Sequence, residues 1–234
     1  MDAIFIGSSS AIAQACLTQF RLAKPDHSIY TVSRNPEKPA YSDVHFASDY
    51  SEQSIEEIGK SISRCSFSHA FIFNGLLHHD QLQPEKKLED LKLENLRQVF
   101  QANVFTQTLW LKALAKPLKH DQTATLVALS ARVGSISDNH LGGWYSYRAS
   151  KAALNMVLQS AAFEFAHRAK RVKLISFHPG TTDSALSKPF QGNVPEEKLF
   201  SPEFVAQQLL SVCVTVPRDN TLSYIDYAGK PIPF

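Results

Sequence analysis

Cysteine is scarce in this chain of 234 residues: Cys16, Cys65 and Cys213 stand far apart, with no CxxC pair. This excludes a disulfide scaffold and a cysteine-based zinc site, and it fits thiols kept reduced. Long hydrophobic runs are missing too; no stretch approaches the roughly 18 apolar residues of a membrane span. The opening Met1-Asp2-Ala3-Ile4-Phe5-Ile6 carries no basic n-region, so no signal peptide is expected, and the expected location is the cytoplasm. Nor does charge of one sign accumulate. Lys and Arg number 24 against 22 Asp and Glu, a formal net charge of +2. No basic run forms an arm, so neither nucleic acid nor a membrane surface is an expected partner. Internal repeats and low-complexity segments are absent as well.

What the chain does have is apolar material in alternating periods. Hydrophobic residues make up 44% of it, ample for a core, and the length suits one domain over residues 1–234. Ala3–Ile6 reads as a short strand, followed by Gly7-Ser-Ser-Ser and a helix from Ala11 to about Leu22. Further strands are expected at Ser28–Ser33, Val44–Ala47, His69–Phe73, Ala124–Leu129, Val172–Phe177 and Leu222–Asp226. Between them the spacing predicts helices over Ser51–Ile62, Asn95–Leu118, Ser146–Ala169 and Pro202–Val214, the last capped by Ser201. Alternating strands and helices imply an α/β fold with a doubly wound, mostly parallel sheet of about seven strands. The Pro- and Gly-rich stretch 179–195 is long enough for a mobile loop over a site.

In such folds ligands bind beyond the carboxyl ends of the strands. After the first strand, Gly7 suits a tight turn and the serines with free amides suit an anion, although a glycine turn with a serine N-cap explains the same residues. After the second come Ser33 and Arg34; an arginine there suits a 2′-phosphate, where an acid would take a ribose hydroxyl. Asp49, after the third, is equally placed to accept from an adenine amino group or to cap the next helix. After the fifth, Tyr147 and Lys151 stand four apart on one helix face. A neighbouring ammonium lowers a phenol's pKa, making Tyr147 a proton carrier for an alcohol or carbonyl oxygen.

Taken in order, Gly7-Ser-Ser-Ser-Ala-Ile-Ala13, Asn74-Gly75, Asn103, Tyr147-xxx-Lys151 and Pro179-Gly-Thr-Thr-Asp-Ser184 make the chain resemble the short-chain dehydrogenase/reductase family over essentially its whole length. Arg148–Asn155 and Asp226–Phe234 are similar to the small bacterial C-factor-like members. The resemblance implies a single-domain Rossmann fold and an oxidoreductase that interconverts a carbonyl and an alcohol, with NADP(H) preferred over NAD(H). Gly7, Ser9, Ser10 and Ile12 would line the pyrophosphate. Ser33 and Arg34 would meet the 2′-phosphate, Asp49 the adenine, and Asn74 and Gly75 the adenosine ribose. Tyr147 would be the acid/base, tuned by Lys151, which also holds the nicotinamide ribose, while Asn103 anchors a relay water. Pro179, Gly180, Thr182 and Ser184 would cradle the nicotinamide. A homodimer or homotetramer is implied too.

Three departures stand out. Gly-xxx-Gly-x-Gly becomes Gly7-xxx-Ala11-x-Ala13, and Asn-Asn-Ala-Gly becomes Ile72-Phe-Asn-Gly75. The serine that holds the substrate oxygen aligns with Ala131; alternation along a strand turns Ser130 away from the site, leaving Ser135 or a local twist to compensate. A cofactor-binding protein with little turnover, acting as a regulator, is therefore the rival reading, and an unrelated nucleotide-binding domain a distant third. His78-His79-Asp80 suggests a metal, but neighbours in sequence rarely aim at one ion, so no metal is expected. His178 is expected in a loop. Leu186, Phe190 and Phe200 are expected to line a substrate pocket rather than merely pack on the core.

Overall fold

A computed structural model describes residues 1–119 and 122–234. In chain order the elements are β1 (Asp2–Ile6), α1 (Ala11–Ala23), β2 (Ser28–Ser33), β3 (Val44–Ala47), α2 (Glu52–Ser61) and β4 (Phe67–Ile72). There follow α3 (Leu93–Phe100), α4 (Thr106–Leu114), β5 (Ala124–Leu129), α5 (Tyr145–Arg168) and β6 (Val172–His178). The last are β7 (Thr181–Thr182), β8 (Leu199–Phe200), α6 (Pro202–Thr215) and β9 (Leu222–Asp226). Seven parallel strands form one sheet in the order β3-β2-β1-β4-β5-β6-β9. The order reverses between β1 and β4, and such a reversal opens a crevice at the carboxyl ends of the strands.

The central strands are apolar on both faces because helices cover both. Ile4, Ile6, Ala70 and Ile72 pack with Trp110 and Leu114 of α4 and with Leu154 and Leu158 of α5. Ala3, Phe5 and Phe71 pack instead with Cys16 and Phe20 of α1 and with Val205 and Leu209 of α6. Alternation along each strand thus divides the core into two layers. Among the described residues no helix is long and apolar enough to cross a membrane.

The one long helix expected over Asn95–Leu118 is divided. A wide turn at Gln101–Phe105, with one extra residue per turn, separates α3 from α4. Its buried Asn103 holds both backbone groups of Leu76: the amide of Leu76 donates to Oδ1 at 2.7 Å, and Nδ2 donates to the carbonyl at 2.9 Å. Helix α4 stops at Leu114, before Pro117, which disfavours helical geometry in the residue preceding it. Strand β4 starts two residues earlier than expected, at Phe67, and stops before Phe73. His178, expected in a loop, ends β6 and pairs with Asp226 of β9. The short parallel pair β7–β8 has too few residues to show a period in sequence.

At the opposite end of the sheet lies a histidine placed for packing. The ring of His69 on β4 stands 5.2 Å from Phe20, 6.0 Å from Phe71 and 6.5 Å from His27. Burial, aided by the nearby positive groups of His27, Lys24 and Arg218, pushes its pKa down to about 4. The folded chain therefore excludes a proton that the unfolded chain binds near the usual His value of about 6.5, and stability falls as pH drops from there toward about 4. His69→Phe should shrink the loss of Tm between pH 7 and pH 5 by a few °C, measured by thermal melts. An unchanged loss would mean that His69 is not the group responsible.

Candidate active site

The nucleotide side of the crevice starts at Gly7, which directly follows β1 with φ +81°. A Cβ there would stand 3.0 Å from the Asn74 amide nitrogen and 3.1 Å from the Phe73 carbonyl carbon, so only glycine lets the two loops meet. Helix α1 begins four residues on, so its free first-turn amides and positive end lie at this turn. Ser10 caps the helix, its Oγ accepting from Ala13 at 3.1 Å, so the plainer reading describes that hydroxyl. Ser9 is exposed. Ile12 is half-buried against the core.

Arg34, Asp49, Asn74 and Gly75 share one cleft of about 490 Å³ with Tyr50 and Arg97. Ser33 is buried and donates from Oγ to the Asn35 carbonyl at 2.9 Å, so its hydroxyl serves its own turn. Of the two readings of Asp49, capping goes to Ser51; Asp49 accepts from the Ser51 amide at 2.8 Å and turns the chain into α2. Bonds from the Ser51 hydroxyl and amide hold its carboxyl below the ordinary range. Tyr50 takes a left-handed backbone, φ +65°, which is uncommon for a bulky residue. Sequence alone singled out neither Tyr50 nor Arg97.

The chemical side is built on α5 and the wide turn. Tyr147 and Lys151 lie one helical turn apart and are 8% and 3% exposed. Lys151 Nζ stands 5.7 Å from the centre of the Tyr147 ring and donates to the Leu129 carbonyl at 2.8 Å. Asn103 Nδ2 donates to Ser150 Oγ at 3.0 Å, and that hydroxyl donates to the Tyr147 carbonyl at 2.7 Å. A Cβ on Gly75 would sit 3.6 Å from Asn103 Oδ1 and 3.7 Å from Lys151 Nζ, so this residue joins the cleft to the Tyr–Lys pair. The pKa expectation for Tyr147 needs correction. Burial pushes the phenol up rather than toward neutrality, and burial also holds the Lys151 ammonium down to about 7. Desolvation favours the neutral form of both.

The start of α5 is fixed from outside. Trp144, at its N-cap, has a left-handed backbone with φ +51° and gives no side-chain cap. Glu85 supplies one instead: its buried carboxylate accepts from the Ser146 amide and hydroxyl, and its carbonyl accepts from the Trp144 amide. A carboxylate at the positive end of a long helix is well placed. Nothing local in the sequence marks Glu85 for this work, because its partners Trp144 and Ser146 lie 59 and 61 residues away.

The two serines near Ala131 make other contacts. Ser130 donates to Asn155 Oδ1 at 2.8 Å, about two helical turns along α5 from Tyr147. Ser135 accepts from the Asp138 amide at 3.1 Å and lines a separate cavity with Ile136, Tyr145 and Arg148. Ala131 packs with Tyr147, Leu77, Leu82 and Val99.

Beyond β6, half-buried Pro179 leads to Gly180 at φ +72°, where a Cβ would meet the Phe200 ring at 2.7 Å. Thr182 Oγ1 is buried without a protein partner, and Ser184 receives the Ser187 amide at 3.1 Å. The three apolar loop residues separate: Phe200 packs on Tyr227 and Phe204, Leu186 is 39% exposed, and Phe190 reaches Trp144 with ring centres 5.1 Å apart. His78 bonds through Nε2 to the carbonyls of Ala185 and Leu186, while His79 meets Gln98 Oε1 at 2.9 Å. Among the described residues no three His, Cys, Asp or Glu side chains form a metal-binding group. Burial, with Arg132 beside it, takes His178 down to about 4.

A parallel sheet in this order, a glycine turn at its switch point and a buried Tyr–Lys pair at its carboxyl edge define an oxidoreductase of the Rossmann type. A family model described as short chain dehydrogenase matches residues 3–194, and the chain belongs to that family. A 1-hydroxy-2-glutathionyl-2-methyl-3-butene dehydrogenase of Rhodococcus sp. (strain AD45) is 29% identical over 164 residues, 68% of this chain and 66% of the relative. A benzil reductase ((S)-benzoin forming) of Bacillus subtilis (strain 168) is 23% identical over 230 residues, 89% of this chain and 91% of the relative. A short-chain dehydrogenase/reductase from Burkholderia multivorans, solved with bound NADP, superposes with a TM-score of 0.83 at 20% identity, covering 100% of this chain and 99% of that one.

Proposed function

We propose that this protein interconverts a carbonyl and an alcohol with NADP(H), Tyr147 carrying the proton. One observation carries the reading: Tyr147 and Lys151 are buried together where Gly75 and Asn103 join them to the Arg34 cleft. The residues fit a dinucleotide, since a Cβ would fill the Gly7 turn and Thr182 Oγ1 is a buried hydroxyl lacking a partner. Gly7 and the start of α1, with Ser9 and Ile12, would hold the pyrophosphate. Arg34 would hold the 2′-phosphate, Asp49 the adenine, Asn74 and Gly75 the adenosine ribose, and Lys151 the nicotinamide ribose. Pro179, Gly180, Thr182 and Ser184 would hold the nicotinamide, which when bound supplies or accepts the hydride. A phenol kept neutral by burial is set to give its proton to a carbonyl oxygen. The benzil reductase relative and the NADP-bound neighbour support both halves of the reading. A weakly active cofactor-binding protein is the second reading, and Ala131 is the observation that favours it.

The cofactor choice has its own test. A charge-assisted bond from Arg34 stabilises by about 1.5–3 kcal/mol, or roughly 10–100-fold in affinity. Arg34→Asp should weaken NADPH binding by that factor and leave NADH nearly untouched in a fluorescence titration. A wild type that prefers NADH, or a variant with undiminished NADPH affinity, removes Arg34 from the role.

A further inference from the structure

The cleft that holds Arg34 has two walls. Strands β2 and β4 flank β1 in the sheet, so the turns after β2 and β3 close the cleft on one side and α3, which follows β4, closes it on the other. Helix α3 lines it with Glu94, Arg97 and Gln98, at the spacing of one helix face, and sends Val99 into the Tyr147 cluster. The volume, about 490 Å³, is that of a small-molecule pocket. Two features mark a ligand site. Asn74 Oδ1 is buried there without a partner. Tyr50 keeps a left-handed backbone there, a strain that persists at ligand sites. Charge is what remains unmatched. The two acids of the cleft are engaged: Asp49 accepts from the Ser51 amide at 2.8 Å, and Glu94 Oε1 accepts from Gln98 Nε2 at 3.1 Å. The two arginines are not. Among the described residues, neither the Arg34 nor the Arg97 guanidinium makes a hydrogen bond or an ion pair.

From this arrangement, and resting on the NADP(H) reading above, we infer that Arg97 is a second determinant of cofactor preference, gripping the 2′-phosphate from the α3 wall while Arg34 grips it from the β2 side. A phosphate monoester carries about two negative charges near pH 7 and presents three acceptor oxygens. One bidentate guanidinium fork occupies two of those oxygens and balances one charge. An oxygen and a charge are left for a second cation, and Arg97 is the other arginine that lines the cleft. Both arginines are exposed, so screening keeps the gain from Arg97 at the low end for a charge-assisted bond, about tenfold in affinity. The gain belongs to the phosphate alone, because NADH has a hydroxyl at that position and gives Arg97 no charge to balance. Stacking of the guanidinium on the adenine ring is the other use of an arginine here, and it would serve both cofactors alike. Two unmatched positive charges in one cleft favour the phosphate.

Binding rather than turnover tests this. Adenosine 2′,5′-diphosphate and adenosine 5′-monophosphate differ only in the 2′-phosphate, and both are titrated calorimetrically into the whole protein, with NADPH and NADH as the full-length pair. Arg97→Gln puts a good helix former at an exposed position, so the fold should persist. It should weaken adenosine 2′,5′-diphosphate and NADPH about tenfold and leave adenosine 5′-monophosphate and NADH within about twofold. Added salt should narrow the wild-type difference between the two nucleotides. Lys92→Gln removes the same charge at the start of α3 but off the cleft lining, and it should leave that difference unchanged. A difference unmoved by Arg97→Gln, while Arg34→Asp still costs NADPH affinity, overturns the inference and leaves the NADP(H) reading intact. So does an equal loss for both nucleotides, which would put Arg97 on the adenine. An effect of Lys92→Gln as large as that of Arg97→Gln also overturns it, because Arg97 would then act only through the general field. If the wild type binds the two nucleotides equally, or binds neither, the NADP(H) reading itself fails and the role of Arg97 goes with it.

Discussion

Replacing Tyr147 by phenylalanine should lower turnover by about 100-fold or more while NADPH still binds. The substitution keeps the ring in its cluster with Leu77 and Val99 and deletes only the hydroxyl. Folding and the Trp144 contact should therefore survive, and the loss should fall on kcat rather than on KM. The pH profile provides a second reading of the same site. Lys151, held down to about 7 by burial, is an ammonium below that pH and neutral above it. Reduction leaves a phenolate on Tyr147, which the ammonium beside its ring stabilises. The rate of reduction should therefore fall as pH rises through about 7, and Lys151→Met should lose that inflection. Stability runs the other way: the folded chain binds fewer protons than the unfolded one between about 7 and the usual Lys range, so stability rises with pH there. If Tyr147→Phe keeps its activity on every carbonyl that the wild type accepts, the proton comes from elsewhere.

Much of this was legible in the sequence because it is local. The Tyr147–Lys151 spacing, the Gly7 turn and the residues after each strand follow from helical and strand periods plus the rule for open parallel sheets. The sheet's strands were readable because their apolar runs are buried on both faces. What escaped depends on partners distant in the chain. Glu85 meets Ser146 across 61 residues, and Asn103 bends its helix to reach Leu76 across 27. Neither bond leaves a periodic trace. The direction of the Tyr147 pKa escaped for a related reason. Spacing shows that an ammonium is near, whereas only the fold shows how little water reaches either group, and desolvation outweighs the pairing. Phe190 and Phe200 look alike in sequence, yet one faces Trp144 and the other packs on Tyr227. A loop's path, rather than its composition, sorts them.

Ala131→Ser should make this protein faster on an unactivated ketone. Removing one donor to a reacting oxygen costs other enzymes roughly 100–1,000-fold. A hydroxyl grafted into a cluster that did not evolve around it should recover part of this, about tenfold on acetophenone. Alanine 131 is extended, at φ −154° and ψ 147°, a backbone that serine adopts freely. The new hydroxyl would enter apolar surroundings beside Tyr147. With no substrate bound it would be an unsatisfied buried group, costing about 1–3 kcal/mol and lowering Tm by several °C. A faster enzyme that melts earlier is thus the expected pair of results. Ser135→Ala should not slow turnover, because Ser135 lines a cavity that Tyr147 does not line. Measuring kcat/KM on acetophenone and the melting curve for both variants decides between the readings. A brisk wild type indifferent to Ala131→Ser but slowed by Ser135→Ala would mean that the loop after β5 rearranges to bring Ser135 to the oxygen. A variant that melts earlier without any gain would place the reacting oxygen away from residue 131.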